Sequence, residues 1–222
     1  MLPQPLIGRK IFFVGIKGTG MAALAELFHK MGAIITGSDT EEVFYTDSVL
    51  RQLGIKYREG FSASNLDEDY DLVIHSSAYN SETNPDLAEA LRRNIPVLEY
   101  TQALGAYSRS TSSCGISGVH GKTTTTGITG TILKEMRLPV SVLAGSAISN
   151  FDGKSTFVSG TNYFVAETCE YKRHFLSFSP DILVVTSIEP DHLDYFRDYN
   201  DIFSAFSSYA EKVPPGGILI YC

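Results

Sequence analysis

The segment GVHGKTTTT, residues 118–126, contains the residue types of a phosphate-binding loop. It ends like the motif G-x-x-x-x-G-K-S/T, although Ile116 stands where that motif has its first glycine. A strand-like run precedes the segment and a helix-like run follows it, so backbone N–H groups and a helix N-terminus would face anionic oxygens. Lys122 would add a positive charge for β- and γ-phosphates, and the Thr123 hydroxyl would suit Mg²⁺. The alternative is a Gly/Thr-rich helix start without a ligand.

A second glycine-rich turn, GIKGTG, lies near the N-terminus and places glycines at Gly15, Gly18 and Gly20. It also follows a predicted strand and opens a predicted helix, but its spacing G-x-x-G-x-G is the reverse of the dinucleotide fingerprint. Asp39 ends the next predicted strand, where an acidic side chain could meet a ribose hydroxyl. Two interpretations stay open: binding of a diphosphate or nucleotide sugar, or a tight strand-to-helix crossing that needs glycine for packing.

Acidic side chains and a histidine follow two later predicted strands. Glu167 ends the run VAE, and Glu170 comes three residues later. The segment after the other strand supplies the remaining candidates, Glu189, Asp191, His192 and Asp194. Ligands of an open α/β sheet collect at the carboxyl ends of its strands, so these groups could converge on the phosphate loop and bind Mg²⁺. The alternative is a solvated polar loop.

The elements that must position these residues alternate between strand and helix, which favours an α/β fold with a parallel sheet. In the first module the predicted strands are residues 10–16, 33–39, 71–78 and 96–100, and the predicted helices are residues 21–32, 46–54 and 84–94. The small polar run SRSTSSC, residues 108–114, is predicted to link two modules. We therefore expect domains at residues 1–107 and 108–222.

The second module repeats the pattern of strand, glycine turn and helix. A strand around Gly115 is followed by a helix at residues 122–136, strands at residues 162–167 and 181–188, and a helix at residues 198–213. The last apolar run, GILIYC, is predicted to be a buried strand. Because a buried strand is an unusual end for a natural chain, we expect the sequence to be a fragment.

Composition limits the classes of protein to which the chain can belong. The 222 residues are 43% hydrophobic and 19% charged, with a formal net charge of −7, which describes a globular chain and disfavours broad capture of nucleic acid. No run approaches the length of a membrane-spanning helix. The chain has an odd number of cysteines without C-x-x-C spacing, namely Cys114, Cys169 and Cys222. This favours a reducing cytoplasm over a disulfide framework or a zinc site.

Several spaced motifs together resemble the Mur ligases, the ATP-dependent amide-bond-forming enzymes of peptidoglycan precursor synthesis, whose phosphate loop lacks the early glycine. Besides GVHGKTTTT, the segments that carry the resemblance are FFVGIKGTGMAALAELF, TGSD, HSSAYNSETNP, IPVLEYTQALG, AETCEYKRHFLSF and TSIEPDHLDYF. The family has a Rossmann-like UDP-sugar-binding domain, a central P-loop-type ATPase domain and a C-terminal domain. The resemblance implies that this chain covers the first domain and the first part of the second, without the C-terminal domain.

The resemblance also implies roles for individual residues. The implied catalytic residues are Lys122, Glu167 and His192, and the implied magnesium ligands are Thr123, Glu167 and His192. The implied ATP-binding residues are Gly118, Val119, His120, Gly121, Lys122, Thr123 and Thr124. The implied UDP-sugar-binding residues are Gly15, Gly18, Thr19, Gly20, Asp39, Ser76 and Ser77.

The activity that the resemblance implies is the joining of L-alanine to UDP-N-acetylmuramate through an acyl phosphate, with ATP and Mg²⁺. The segment after Glu167 reads E-T-C-E-Y, where the commoner family form is E-A-D-E-S. Two alternatives stay open. A related ligase would attach a peptide to the same sugar, and a non-catalytic module would bind the UDP-sugar or nucleotide without phosphate release.

Overall fold

The computed structural model describes residues 2–222, and the chain divides into two compact units, Met1–Ala103 and Leu104–Cys222. The division precedes the boundary predicted after Tyr107. Tyr107 packs within the second unit, because its hydroxyl lies 3.1 Å from Ser141 Oγ and its ring makes an edge contact with Phe164. Burial raises the pKa of Tyr107 to about 12.

The first unit is a parallel sheet with helices between its strands, as predicted, but it has five strands and not the predicted four. The sheet order is β3-β2-β1-β4-β5. Its elements are β1 (Lys10–Val14), α1 (Thr19–Lys30), β2 (Ile34–Asp39), α2 (Thr46–Gln52), β3 (Lys56–Glu59), β4 (Leu72–His75), α3 (Pro85–Arg92), β5 (Val97–Glu99) and α4 (Tyr100–Ser108), which contains the division point.

Local sequence explains the central elements of this unit. The last four residues of β1, IFFV, are almost completely buried, as expected for a parallel strand covered on both faces. The start of α3 is fixed by Asn84, whose side chain accepts hydrogen bonds from the N–H groups of Asp86 and Leu87, and by Pro85 in the first turn.

The second unit is a six-stranded sheet of order β11-β10-β6-β9-β7-β8, in which only the β7–β8 pair is antiparallel. Its elements are β6 (Ser112–Ser117), α5 (Lys122–Glu135), β7 (Val140–Ile148), β8 (Lys154–Val158), β9 (Tyr163–Glu167), β10 (Ile182–Val185), α6 (Tyr199–Ala210) and β11 (Ile218–Tyr221). The α/β fold class predicted from the sequence is confirmed. No helix among the described residues is long and apolar enough to cross a membrane.

Two local predictions were wrong. The proposed linker is partly a strand, because residues 112–114 belong to β6. There Ser113 is buried, and both of its hydrogen-bond donors have acceptors. Its N–H donates to Asp181 Oδ2 at 2.8 Å and its hydroxyl donates to the carbonyl of Ser179 at 2.7 Å. The strand predicted to be buried at the end of the chain, β11, is an exposed edge strand, with Tyr221 74% exposed.

Candidate functional site

The phosphate loop of the second unit connects β6 to α5. Gly118 and Gly121 both adopt positive φ, at 137° and 81°, and Gly121 immediately precedes the first turn of α5. The N–H of Val119 donates to the carbonyl of Ser187 at 3.1 Å, and that of His120 donates to Ser187 Oγ at 3.0 Å. The segment after β10 therefore holds the loop, and the first N–H groups of α5 have no acceptor inside the helix.

Gly118 has no room for a side chain. A Cβ at this position would lie 2.1 Å from Thr186 Oγ1 and 2.8 Å from the backbone nitrogen of Ser187. The loop can therefore pack against the end of β10 only with glycine here.

Lys122 folds back over its own loop. Its ammonium nitrogen donates to the carbonyls of Gly118 and Val119 at 2.5 and 3.3 Å, and to Glu170 Oε1 at 3.1 Å. Three acceptors thus use all the protons of the ammonium group, and a phosphate must replace at least one of them.

Glu167, at the end of β9, lies beside the first turn of α5. Its Oε2 accepts the hydroxyl of Thr123 and the N–H of Gly145, each at 2.7 Å. A Cβ at Gly145 would lie 2.6 Å from both carboxylate oxygens, so glycine leaves space around this carboxylate. The structure therefore brings together two of the three predicted magnesium ligands as adjacent oxygen donors.

His192, the third predicted ligand, lies beside Glu170. Its Nε2 is 3.5 Å from Glu170 Oε1, its ring centroid is 4.8 Å from that of Tyr171, and its backbone has a φ of 50°. Among the described residues, the metal-ligating atoms of Glu170, Asp191 and His192 all lie within 4.8 Å of one another, and Glu167 is outside that group.

Glu170 was predicted only as one of several acidic groups that could converge on the phosphate loop, without a role of its own. Its side chain is 1% exposed and contacts the phosphate-loop lysine. The available signal was its position three residues after Glu167. The other acidic candidates lie further out: Glu189 is exposed, and Asp194 accepts the Tyr171 hydroxyl at 2.9 Å on the surface.

The glycine turn of the first unit is closely packed. The N–H groups of Gly15 and Ile16 donate to the carbonyl of Ser38, and Gly15 has a φ of 81°. A Cβ at Gly15 would lie 2.6 Å from the ring of Tyr79, and one at Gly20 would lie 2.9 Å from the ring of Tyr100. These contacts require glycine at both positions for packing, and ligand binding at the turn stays a prediction.

The other residues predicted to bind the UDP-sugar lie around this turn. Gly18 directly precedes α1, which begins at Thr19. The N–H of Ser76 donates to the carbonyl of Val14, and Ser77 is exposed. Since β1 and β4 are parallel neighbours, the serines share the carboxyl edge of the sheet with the turn, where ligands of such sheets collect.

The Asp39 carboxylate accepts hydrogen bonds from backbone N–H groups. It is 4% exposed, and its two oxygens accept the N–H groups of Lys17 at 2.6 Å and Thr40 at 2.8 Å. Burial and the charge of Asp39 raise the pKa of the neighbouring Tyr79. The carboxylate therefore fixes the glycine turn, and its contact with a ribose stays a prediction.

Comparison with known families and proteins gives a consistent result. Residues 10–111 match the model of the Mur ligase family, catalytic domain, and residues 116–222 match that of the Mur ligase middle domain. UDP-N-acetylmuramate–L-alanine ligase of Treponema pallidum is 52% identical over 221 residues, covering 100% of this chain and 46% of that protein. The same-named protein of Borreliella burgdorferi is 42% identical over 213 residues, covering 95% and 46%. The chain thus spans about half the length of the curated relatives it matches.

Two solved structures share the fold over nearly the whole chain. UDP-N-acetylmuramate:L-alanyl-γ-D-glutamyl-meso-diaminopimelate ligase from Neisseria meningitides superposes with a TM-score of 0.82 at 27% identity, covering 96% of this chain and 71% of that chain. UDP-N-acetylmuramate–alanine ligase from Thermotoga maritima superposes with a TM-score of 0.80 at 28% identity, covering 96% and 48%.

Proposed function

This chain belongs to the Mur ligase family, and on that premise we propose that its protein is an ATP-dependent ligase that joins L-alanine to UDP-N-acetylmuramate. The observation that carries the proposal is the phosphate loop, with Lys122 folded over it and the Thr123–Glu167 oxygen pair beside it. The Treponema and Borreliella relatives carry that activity in their names. Because the chain spans 46% of those relatives, the activity is proposed for the natural full-length protein.

In this proposal the triphosphate of ATP lies against the N-terminus of α5. The unpaired N–H groups of the first turn and the positive end of the helix dipole would face its oxygens. Lys122 would move from the loop carbonyls to the β- and γ-phosphates. The residues that would line the nucleotide are Gly118, Val119, His120, Gly121, Lys122, Thr123 and Thr124.

The residues present fit a magnesium ion. Thr123 and Glu167 offer hard oxygen donors 2.7 Å apart, and Gly145 leaves beside them a space that a Cβ would fill. His192 is the third proposed ligand and lies on the Glu170 side of the loop. When bound, the ion would neutralise phosphate charge. Thr123 and Glu167 would orient it, and Lys122 would stabilise the charge that develops on the transferred phosphoryl group.

The proposed reaction is phosphoryl transfer followed by acyl transfer. The lactyl carboxylate of the sugar attacks the γ-phosphorus, which releases ADP and leaves an acyl phosphate. The deprotonated amine of L-alanine then attacks the acyl carbon, and inorganic phosphate leaves as the amide forms. The contribution of this chain is to hold negative groups together and to neutralise their charge, mainly through Lys122.

The first unit is proposed to hold the UDP-sugar at the carboxyl edge of its sheet. The residues proposed for this role are Gly15, Gly18, Thr19, Gly20, Asp39, Ser76 and Ser77. The three free cysteines agree with a proposed cytoplasmic location, where thiols stay reduced.

An assay of phosphate release tests the proposed function. We expect the full-length protein to release phosphate from ATP only when Mg²⁺, UDP-N-acetylmuramate and L-alanine are all present, with one amide formed per phosphate. Omission of any component should reduce release to background. Binding of ATP and UDP-sugar without phosphate release would instead identify a non-catalytic binding module and reject the ligase.

A peptide acceptor is the second candidate. It is favoured by the similarity to the Neisseria enzyme, which is named as a ligase of a tripeptide. Replacing L-alanine by L-alanyl-γ-D-glutamyl-meso-diaminopimelate in the same assay separates the two. Turnover with the tripeptide and not with L-alanine would assign the chain to the peptide ligases.

Gly118→Ala tests whether the loop geometry matters for nucleotide binding. The added methyl group would collide with Thr186 and Ser187, and overpacking of this kind costs about 1–3 kcal/mol. Because the displaced segment is the loop itself, we expect the affinity for MgATP to fall about tenfold, which corresponds to about 1.4 kcal/mol. Calorimetric titration measures it.

Gly153→Ala is the matched control, since Gly153 also has a positive φ, of 73°, but has open space around its Cβ position. It should be destabilised slightly by backbone strain and bind MgATP normally. Equal affinities in the two variants would contradict the assigned role of the loop.

A further inference from the structure

Glu170 is a buried carboxylate with an incomplete set of partners. Its Oε1 accepts the Lys122 ammonium at 3.1 Å and lies 3.5 Å from His192 Nε2. Its Oε2 lies 3.1 Å from the same ammonium nitrogen but is buried without a hydrogen bond. A buried ionised carboxylate needs a cation or a full set of hydrogen bonds to be stable. Lys122 is that cation in the structure described here.

The same ammonium is the group proposed to contact phosphate, so two anions compete for it. In the structure Lys122 donates its hydrogen bonds to Glu170 and two loop carbonyls. When a triphosphate enters, Lys122 must turn towards it, and Glu170 then stays buried without its counter-ion. Its negative charge would also repel the phosphates across a short distance.

The neighbours of Glu170 indicate what could replace the lysine. The metal-ligating atoms of Asp191 and His192 lie within 4.8 Å of that of Glu170, and the orphan Oε2 retains free lone pairs. Oxygen and imidazole donors at these distances suit a divalent cation. A cation that arrives with the nucleotide would therefore compensate the charge that Lys122 leaves.

We propose that Glu170 is a positioning residue that exchanges Lys122 for a divalent cation when nucleotide binds, and thereby makes nucleotide binding depend on that cation. The inference rests on the proposed function, because it requires ATP at the phosphate loop. It extends that function, because Glu170 would make the protein bind MgATP in preference to metal-free ATP. The penalty for metal-free ATP is the uncompensated charge of this one carboxylate.

The test is the affinity of the full-length protein for ATP, measured by calorimetry in EDTA and in excess Mg²⁺. Glu170→Gln keeps the shape of the side chain and removes its charge. We expect metal-free ATP to bind about tenfold tighter than to the wild type, the order of effect of one neighbouring charge. The ratio of the MgATP affinity to the metal-free affinity should shrink by at least the same factor, because the variant also removes a proposed ligand of the cation.

Glu135→Gln is the matched control, because it makes the same change in net charge at an exposed position at the far end of α5. It should leave both affinities unchanged. If Glu170→Gln weakens binding equally with and without Mg²⁺, or behaves like the control, the proposal is wrong and Glu170 serves only to keep the loop folded.

Two further variants complete the design. If Glu170→Gln does not fold, Glu170→Asp, which retracts the charge from Lys122 by one methylene, should tighten metal-free binding in the same direction by a smaller factor. Unchanged or weaker metal-free binding would then overturn the proposal. Lys122→Met reports on the proposed function separately: if it binds MgATP as the wild type does, the phosphate loop is misassigned. If it loses binding while Glu170→Gln changes nothing, only the role of Glu170 fails.

Discussion

Lys122→Met is expected to abolish ATP-dependent ligation, with kcat/KM reduced by about 10³-fold or more, the scale of losing one charged group that stabilises a phosphoryl-transfer transition state. Methionine keeps the apolar stem and removes the ammonium group. Lys122 is the only cation that the structure shows in contact with the carbonyls of Gly118 and Val119 among the described residues. The remaining backbone N–H groups of α5 would bind phosphate without neutralising it.

The substitution also affects stability, because it leaves Glu170 buried without a cation. Removing one partner of a buried ion pair typically costs about 3–5 kcal/mol. A loss of activity in Lys122→Met could therefore reflect unfolding. The double variant Lys122→Met/Glu170→Gln removes both charges, so it should regain most of the melting temperature and none of the ligase activity.

Lys134→Met supplies the control for the chemical change itself. Lys134 belongs to the same helix, but its ammonium donates to the carbonyl of Asn150 at 2.7 Å, at the far end from the loop. Its variant should keep phosphate release near the wild-type rate. Substantial ligation by the folded double variant would refute the phosphate-binding role of Lys122.

The elements that surround the loop could be predicted because their signals are local. β6, the glycines and α5 follow one another within 24 residues, from Ser112 to Glu135, and apolar period and glycine position suffice to identify them. β3, β7, β8 and α4 were not predicted. β3 is a four-residue strand of sequence KYRE that is half-buried at most, so it has no apolar run to detect.

The arrangement of the acidic residues depends on long-range contacts. Glu167 and Glu170 are three residues apart, yet one faces Thr123 and the other faces Lys122 and His192. The chain leaves the strand between them: β9 ends at Glu167, and Glu170, with φ of −72° and ψ of −27°, immediately precedes the 3₁₀ segment Tyr171–Ser177. Sequence spacing alone contains no such information, which is why Glu170 was named only among the acids that could bind Mg²⁺ and His192 was grouped with Glu167.

Lys17→Met is expected to destabilise the first unit by about 3–5 kcal/mol, the usual cost of removing one partner from a buried ion pair. The Lys17 side chain is 1% exposed, and its ammonium lies 3.4 Å from Asp47 Oδ1. It donates to the carbonyls of Thr40 and Glu42 at 2.9 and 3.0 Å. The Lys17 side chain therefore holds the segment between β2 and α2 in place.

The backbone of Lys17 contributes to the same junction. Its N–H donates to Asp39 and its carbonyl accepts the hydroxyl of Thr46. Methionine would keep these two bonds and lose only the ammonium contacts. Burial opposes ionisation of Asp47, but hydrogen bonds from Tyr57 and Phe44, together with Lys17, lower its pKa. Its stabilising contribution is therefore present above the ordinary aspartate pKa of about 4 and lost as the pH falls below it.

Hydrogen exchange is the suitable measurement, because peptides from residues 10–39 report on the first unit separately from the second. In Lys17→Met these amides should exchange with an opening free energy lower by the stated amount. Lys56→Met, the same change at an exposed position of β3, should stay within about 0.5 kcal/mol of the wild type. Equal protection in the two variants would show that the ammonium of Lys17 is dispensable. In that case the backbone bonds to Asp39 and Thr46 would be sufficient to hold the glycine turn.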